Sequence, residues 1–315
     1  MADYERNGLE SRIVRYADLK PCYNAFIDTR TPGSESKENF TIIGPGVSEN
    51  PDQHVHIAEP HGFNIGGARQ PPRCVNSQHS HDTAEVFVVH TGRWRFTFGE
   101  NADDSAVEAG PGDIVSFPTQ VFRGFTNIGA EGEIGYLWAV LGKDNPGRVT
   151  WAPQVFEMAR DYGLVLMENG SLVDTAAGQA LPEGAAPMPP TTREQAGTLH
   201  RVTTEEAGKL IVRDGDRAQP RDGIAETPLI GPNAPLGWPH GFRVRRVDLA
   251  ANAALPEERT SGPEVLFVHR GALDVTVDGE QARLGEGDTL TVPVGGTRRY
   301  VAPEQATLFI VNGGD

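Results

Sequence analysis

The chain is poor in cysteine and in positive charge and has no long apolar run, and each shortage excludes a class of protein. Two cysteines, Cys22 and Cys74, stand in 315 residues. That is too few for a disulfide scaffold, and with no Cys-x-x-Cys pair a thiol-redox role has no residues to rest on. Lys and Arg number 28 against 43 Asp and Glu, a formal net charge of -15. A surface of that sign repels nucleic acid and anionic membranes, so neither is an expected partner. No segment has the length of apolar residues that crosses a bilayer. Met1–Arg6 leads into no apolar core of a secretion signal, so the expected location is the cytoplasm, with both thiols reduced. Neither a phosphate-cradling glycine loop nor the Ser-His-Asp order of a hydrolase triad occurs. What is plentiful is turn chemistry, 37 Gly and 24 Pro, as befits an all-β protein of many short strands. The length allows two domains with cores of their own.

The most informative segment runs from His79 to Gly92. His79 and His81 lie one residue apart, and on an extended strand they share a face. Glu85 follows, then Val86, Phe87, Val88 and Val89, and a turn at Thr91-Gly92. Two imidazoles and a carboxylate make a ligand set for a first-row divalent metal, and a 2-His-1-carboxylate set with open positions suits iron-type oxygen chemistry. The pattern H-x-H-x3-E-x6-G resembles the first signature of the cupin superfamily. A second cupin signature, G-x5-P-x-G-x2-H-x3-N, is met by Gly112, Pro118 and Asn127, with Gln120 in place of the middle glycine and Arg123 in place of the histidine that would be the fourth ligand. Arginine stays protonated in proteins and cannot ligate a metal. His79, His81 and Glu85 therefore remain as metal ligands, and Arg123 either pairs with Glu85 or grips an anionic ligand.

The chain also repeats itself. Pro60-His61-Gly62-Phe63 recurs as Pro239-His240-Gly241-Phe242, 179 residues on, and the same offset takes Glu85 to Glu264 and Gly92 to Gly271. After a loop four residues shorter, Gly112, Pro118 and Arg123 correspond to Gly287, Pro293 and Arg298. The resemblance thus implies a bicupin: an all-β chain of two cupin barrels, each a jelly-roll-like double-stranded β-helix. The expected boundaries are an N-terminal cupin domain with a lead-in arm at 1–150, a helix, hairpin and Pro/Ala/Gly-rich linker at 151–198, and a C-terminal cupin domain at 199–315. In the second copy Glu258 and Thr260 replace the two histidines. Any metal is therefore expected in the first barrel, and an interior Glu264–Arg298 pair in the second.

Other residues carry plainer readings. His54 and His56 form another His-x-His, but no glutamate follows at the family's distance, and they read as rim histidines. His61 and His240, kept in both copies, read as structural turn histidines bonded to backbone. His90 has the parity opposite to Glu85 and faces away from the pocket, whereas Phe87 and Phe125 point into it. The polar loop Thr31–Asn39 reads as a packed extension or an arm onto a partner subunit. Gln120 lies near the open end of the second signature, within reach of a ligand.

Cupins host many activities on one barrel. The resemblance to bicupin dioxygenases of the quercetin and gentisate type implies a metal-dependent dioxygenase acting on a small organic or aromatic acid in the first barrel. His79, His81 and Glu85 would hold Fe(II), or else Mn(II), Ni(II) or Zn(II), while Arg123 anchors the substrate anion and Gln120 contacts it. No organic cofactor is expected, and a homo-oligomer is compatible with the family. Two alternatives stand beside it: a non-enzymatic small-ligand binder with metal-free pockets, and a metal-dependent lyase or isomerase.

Overall fold

The computed structural model describes residues 8–216 and 222–314. Nearly all regular structure is strand, arranged as two pairs of facing sheets. In the first barrel, Ile114–Phe117, Glu85–Thr91, Gly135–Gly142, Phe63–Gln70 and Glu38–Ile43 lie side by side, and face a sheet in which Val75–His81, Arg123–Asn127 and Trp94–Phe98 are neighbours. The second barrel repeats this with Thr289–Val292, Glu264–Arg270, Ala306–Gly313 and Phe242–Leu249 against Ala254–Arg259, Thr297–Val301 and Leu273–Val277. Each pair is the jelly roll that the duplicated signatures imply.

The strand Glu85–Thr91 shows why its sequence reads as a continuous apolar run. It is buried on both faces. Phe87 and Val89 join the interior of the first barrel with Phe96, Phe117 and Phe125, while Val86 and Val88 join a second cluster with Val265, Phe267, Phe309 and Val311 of the other barrel. The apolar faces of the two large sheets are thus packed on each other, burying side chains that a lone barrel would leave wet.

This contact has approximate two-fold symmetry, and histidines mark it. His90 and its counterpart His269 meet with their Nδ1 atoms 3.3 Å apart. His240 Nδ1 donates to Trp238 O at 2.6 Å, which fixes the tautomer and lets Nε2 accept from the Ser116 hydroxyl of the first barrel at 2.7 Å. His61 mirrors it, bonding Glu59 O at 2.7 Å and the Thr291 hydroxyl of the second barrel. These histidines are backbone-bonded turn residues, and each also pins its own barrel to the other. Glycine makes the approach feasible: a Cβ on Gly142 would sit 2.6 Å from His240 O, and one on Gly313 2.9 Å from His61 O.

The lead-in segments are exchanged. Ile13–Val14, ahead of the first barrel, pairs with Leu290 and Thr289 at the edge of the second. Ile211–Val212, ahead of the second, pairs with Val115 and Ile114 at the edge of the first. Asp288 and Asp113 accept matching bonds from the backbone of Tyr16 and Asp214. Residues 199–212, which sequence groups with the second domain, therefore lie on the first barrel, where Val202, Ala207 and Leu210 join its core.

The Thr31–Asn39 loop is a packed extension: Val75 N donates to Gly33 O at 2.8 Å, Ser34 bonds Val75 O, and a fully buried Lys37–Asp28 ion pair ties it down. The helix Pro153–Asp161 begins with proline in its first turn and covers Trp151 and Phe122. The following hairpin pairs Leu164–Leu166 with Leu172–Asp174 around Asn169-Gly170. Both cysteines are free thiols. No helix among the described residues is long and apolar enough to cross a membrane.

Candidate metal centre

The first barrel brings His79, His81 and Glu85 together as their spacing requires. One potential ligand atom from each lies within 4.8 Å of the others, and all three residues are buried. His79 Nδ1 stands 2.7 Å from Ser77 O. A carbonyl only accepts, so Nδ1 carries the proton and the Nε2 lone pair is left for a ligand, the usual outer-shell arrangement of a metal-binding histidine. His81 Nε2 lies 3.6 Å from Glu85 Oε1. Both imidazoles are held well below their ordinary pKa, first by burial and then by the Arg123 charge. Neutral imidazole is the form a metal binds.

Arg123 occupies the place of the fourth ligand, and its side chain is 1% exposed. Its Nη2 donates to Glu85 Oε2 at 2.7 Å and its Nη1 to His79 O at 3.2 Å, with the guanidinium 5.6 Å from the Phe117 ring centroid. Arg123 Nε is buried without a hydrogen-bond partner. Burial lowers this guanidinium's pKa, opposed by Glu85.

The duplication shows what is special about the first site. In the second barrel Glu264 is fully served by protein: Arg298 Nε donates to Oε1 at 3.0 Å and the Tyr300 hydroxyl at 2.9 Å. Asn312 and Arg245 reach its other oxygen at 3.3 and 3.4 Å. Strand register converts these four donors into first-barrel residues. Arg298 becomes Arg123 and Tyr300 becomes Phe125. Asn312, which faces Glu264, becomes Leu141, which faces Glu85. Arg245 becomes Gly66. Three of the four donors are lost, so Glu85 keeps Arg123 on one oxygen and has no hydrogen-bond donor on Oε1 among the described residues. That oxygen belongs to a buried, cavity-lining residue and lies 3.6 Å from His81 Nε2. With the two neutral imidazoles it makes a donor set that fits a divalent metal of the Fe(II), Mn(II), Ni(II) or Zn(II) kind.

The three residues line a cavity of about 70 Å³, several times the roughly 10–15 Å³ that one water occupies. Phe26, Phe40, Phe87 and Phe125 contribute to its wall, as do Leu141 and Cys22. Phe87 and Phe125 point inward as their parity predicts, and His90 lies on the far face of its strand. Gln120 is exposed and does not line this cavity. It borders a separate pocket with Ser80, His81, Asp82 and Thr119, while its carbonyl accepts from His200 N. It is a turn residue with φ 59° beyond the strand Ile114–Phe117, beside His81 but outside the phenylalanine-walled cavity, which the signature alone does not reveal. His54 is exposed and His56 half-buried, their ring centroids 4.5 Å apart, and no acid completes a ligand set there among the described residues. Asn312 and Arg245 escape a reading by motif because they lie outside both signatures, and Tyr300 because it fills an unspecified position within the second. The signal that finds them is the copy-to-copy register.

Residues 68–140 and 245–312 each match the cupin domain family, so the chain carries two cupin domains, one in each barrel. Among solved structures it is similar to salicylate 1,2-dioxygenase from Pseudoaminobacter salicylatoxidans in its gentisate adducts, at 18% identity over 81% of this chain and 69% of that one, TM-score 0.51. Oxalate decarboxylase from Lactobacillus farciminis, in a formate complex, matches at 9% identity over 96% and 86% of the two chains, TM-score 0.60. A vicilin from Corylus avellana, hazelnut, matches at 12% identity over 96% and 85%, TM-score 0.57. At such identities the likeness speaks for the fold. Among curated protein sequences nothing matches significantly.

Proposed function

We propose that the first barrel is the active site of a metal-dependent dioxygenase for a small aromatic or other organic acid. The observation that carries this reading is the carboxylate of the buried Glu85, whose Oε1 has no donor among the described residues and lies 3.6 Å from His81 Nε2, grouped with two neutral imidazoles at a cavity walled by phenylalanines. His79, His81 and Glu85 would hold the metal, which when bound supplies open coordination positions and Lewis-acid or redox chemistry. The remaining work falls to this chain's own residues. The phenylalanine wall takes up an apolar body and excludes water. Arg123, the cation nearest the triad, would donate to the substrate carboxylate and offsets the charge of Glu85. The N-terminal domain of 1–150 supplies the whole of this set.

The closed Arg123–Glu85 pair favours a second reading, a metal-free pocket that binds a small ligand without reaction. One measurement separates the two. Protein purified without an affinity tag and reconstituted with Fe(II) under nitrogen should hold one metal per chain, then consume oxygen with an aromatic acid such as salicylate or gentisate. No bound metal after reconstitution overturns the enzyme reading. Metal with turnover but no oxygen uptake points to a lyase or isomerase instead.

A further inference from the structure

The second barrel is not a filled relic. It contains a cavity of about 590 Å³, bordered by Arg243, Arg245, Glu258, Ser261, Arg298 and Asn312. No aromatic side chain contributes to its lining, in contrast to the phenylalanine wall of the first. The charges inside are matched with one exception. Arg298 binds Glu264 and also Glu258, at 2.6 Å. Arg245 Nη1 donates to Asn312 Oδ1 at 2.7 Å, its Nη2 reaches Glu264, and its Nε stands 3.4 Å from Glu226 at the rim. Arg243 forms no hydrogen bond or ion pair with any described residue. Its stem packs on Gly231, where a Cβ would stand 3.2 Å from Arg243 Cγ. In a chain of net charge -15, a guanidinium on a cavity wall without an acid is an anion site in waiting.

We propose that the second barrel binds a small polyhydroxylated carboxylate, with Arg243 as its anchor, and does so without metal. The carboxylate would lie against Arg243, beside the Arg245 side chain on the same wall. The Ser261 hydroxyl, which bonds no described residue, and the Glu258 carboxylate, 64% exposed, would meet hydroxyl groups of the ligand. A polar wall with no ring to stack on selects against an aromatic acid. The site shares no residue with the metal centre, so it stands or falls separately from the dioxygenase reading.

Calorimetric titration of the intact chain tests this with D-gluconate and D-galacturonate as probes, and sorbitol and benzoate as controls lacking the carboxylate or the hydroxyls. A hydroxy acid should bind at millimolar concentration or below. Arg243→Gln, an exposed position whose change should leave the melting temperature unmoved, should weaken binding about tenfold or more, the loss of one charge-assisted hydrogen bond. His81→Ala, in the other barrel, should leave it unchanged. The proposal is overturned if neither hydroxy acid binds at about 10 mM, if sorbitol binds equally well, if Arg243→Gln binds like the parent, or if the binding disappears in His81→Ala.

Discussion

Replacing Phe125 by Tyr puts the comparison between the two carboxylates to a direct test. Phe125 borders the cavity beside Glu85, and its counterpart Tyr300 donates to Glu264 Oε1 at 2.9 Å. The new hydroxyl would put a further donor on the Glu85 carboxylate, from within the cavity where a metal would otherwise lie against it. A hydrogen bond to a charged group contributes about 1.5–3 kcal/mol, and an incoming metal must displace it. At about 1.4 kcal/mol per decade, metal affinity should fall roughly ten- to a hundredfold. Folding stability should hold or rise, because the hydroxyl enters existing space and satisfies a buried charge. Competition against a chelator of known affinity, run with Fe(II) or Mn(II) under nitrogen, measures the change, and Tyr300→Phe serves as the control that should leave metal affinity alone. A folded Phe125→Tyr protein that binds metal as tightly as the parent refutes the argument that a carboxylate short of protein donors makes this site.

Replacing His81 by Ala should abolish metal binding, and full occupancy by elemental analysis would show the ligand set to be wrong. Arg123→Ala should keep the metal while raising KM for an acidic substrate, and an unchanged KM removes the anchor role. His240→Ala should leave metal content intact and lower stability by about 1–3 kcal/mol, because Ser116 loses its buried partner, as urea unfolding would report. Acid should weaken the contact between barrels. Burial is the largest cause holding His90 at about 4 and His269 at about 3, against an ordinary 6.5. The unfolded chain therefore takes up protons first, so stability is whole above pH 6.5 and falls as pH drops toward 4 and then 3, by an order of 1.4 kcal/mol per unit for each histidine. Replacing His269 by Phe should flatten that fall in urea midpoint between pH 6.5 and 4.5, and an unchanged slope counts against the pair.

The fold was legible because its determinants are local. The His79–Gly92 signature spans two successive strands and the turn after them, its repeat at Glu264–Gly271 keeps the same offset, and the place of Arg123 and Arg298 in the second signature, where the fourth ligand belongs, sufficed to aim them at Glu85 and Glu264. The exchange of lead-in strands was not legible. Ile13-Val14 and Ile211-Val212 are two-residue strands whose partners lie far along the chain, and a dipeptide carries no periodicity from which to name them. The candidate site was half legible. Its ligands announced themselves as His-x-His and glutamate, but the lost donors at Gly66, Phe125 and Leu141 read as ordinary packing until register set them opposite Arg245, Tyr300 and Asn312. Gln120 lies off the phenylalanine-walled cavity for a local reason: it is a left-handed turn residue, in a neighbouring pocket that it shares with His81.

The exchanged strands also have a topological consequence. Each half of the chain carries the segment that closes the open edge of the other half, while the connection between them runs through residues 175–197, which are largely exposed. A cut in that stretch would sever the backbone and leave both edges covered, because the sealing strands lie on opposite sides of the break. The two pieces would then hold each other as reciprocal clasps, through the histidine pins and the shared apolar face. Either piece made alone would present a bare β-edge beside a large apolar surface, an invitation to pair with its own copies.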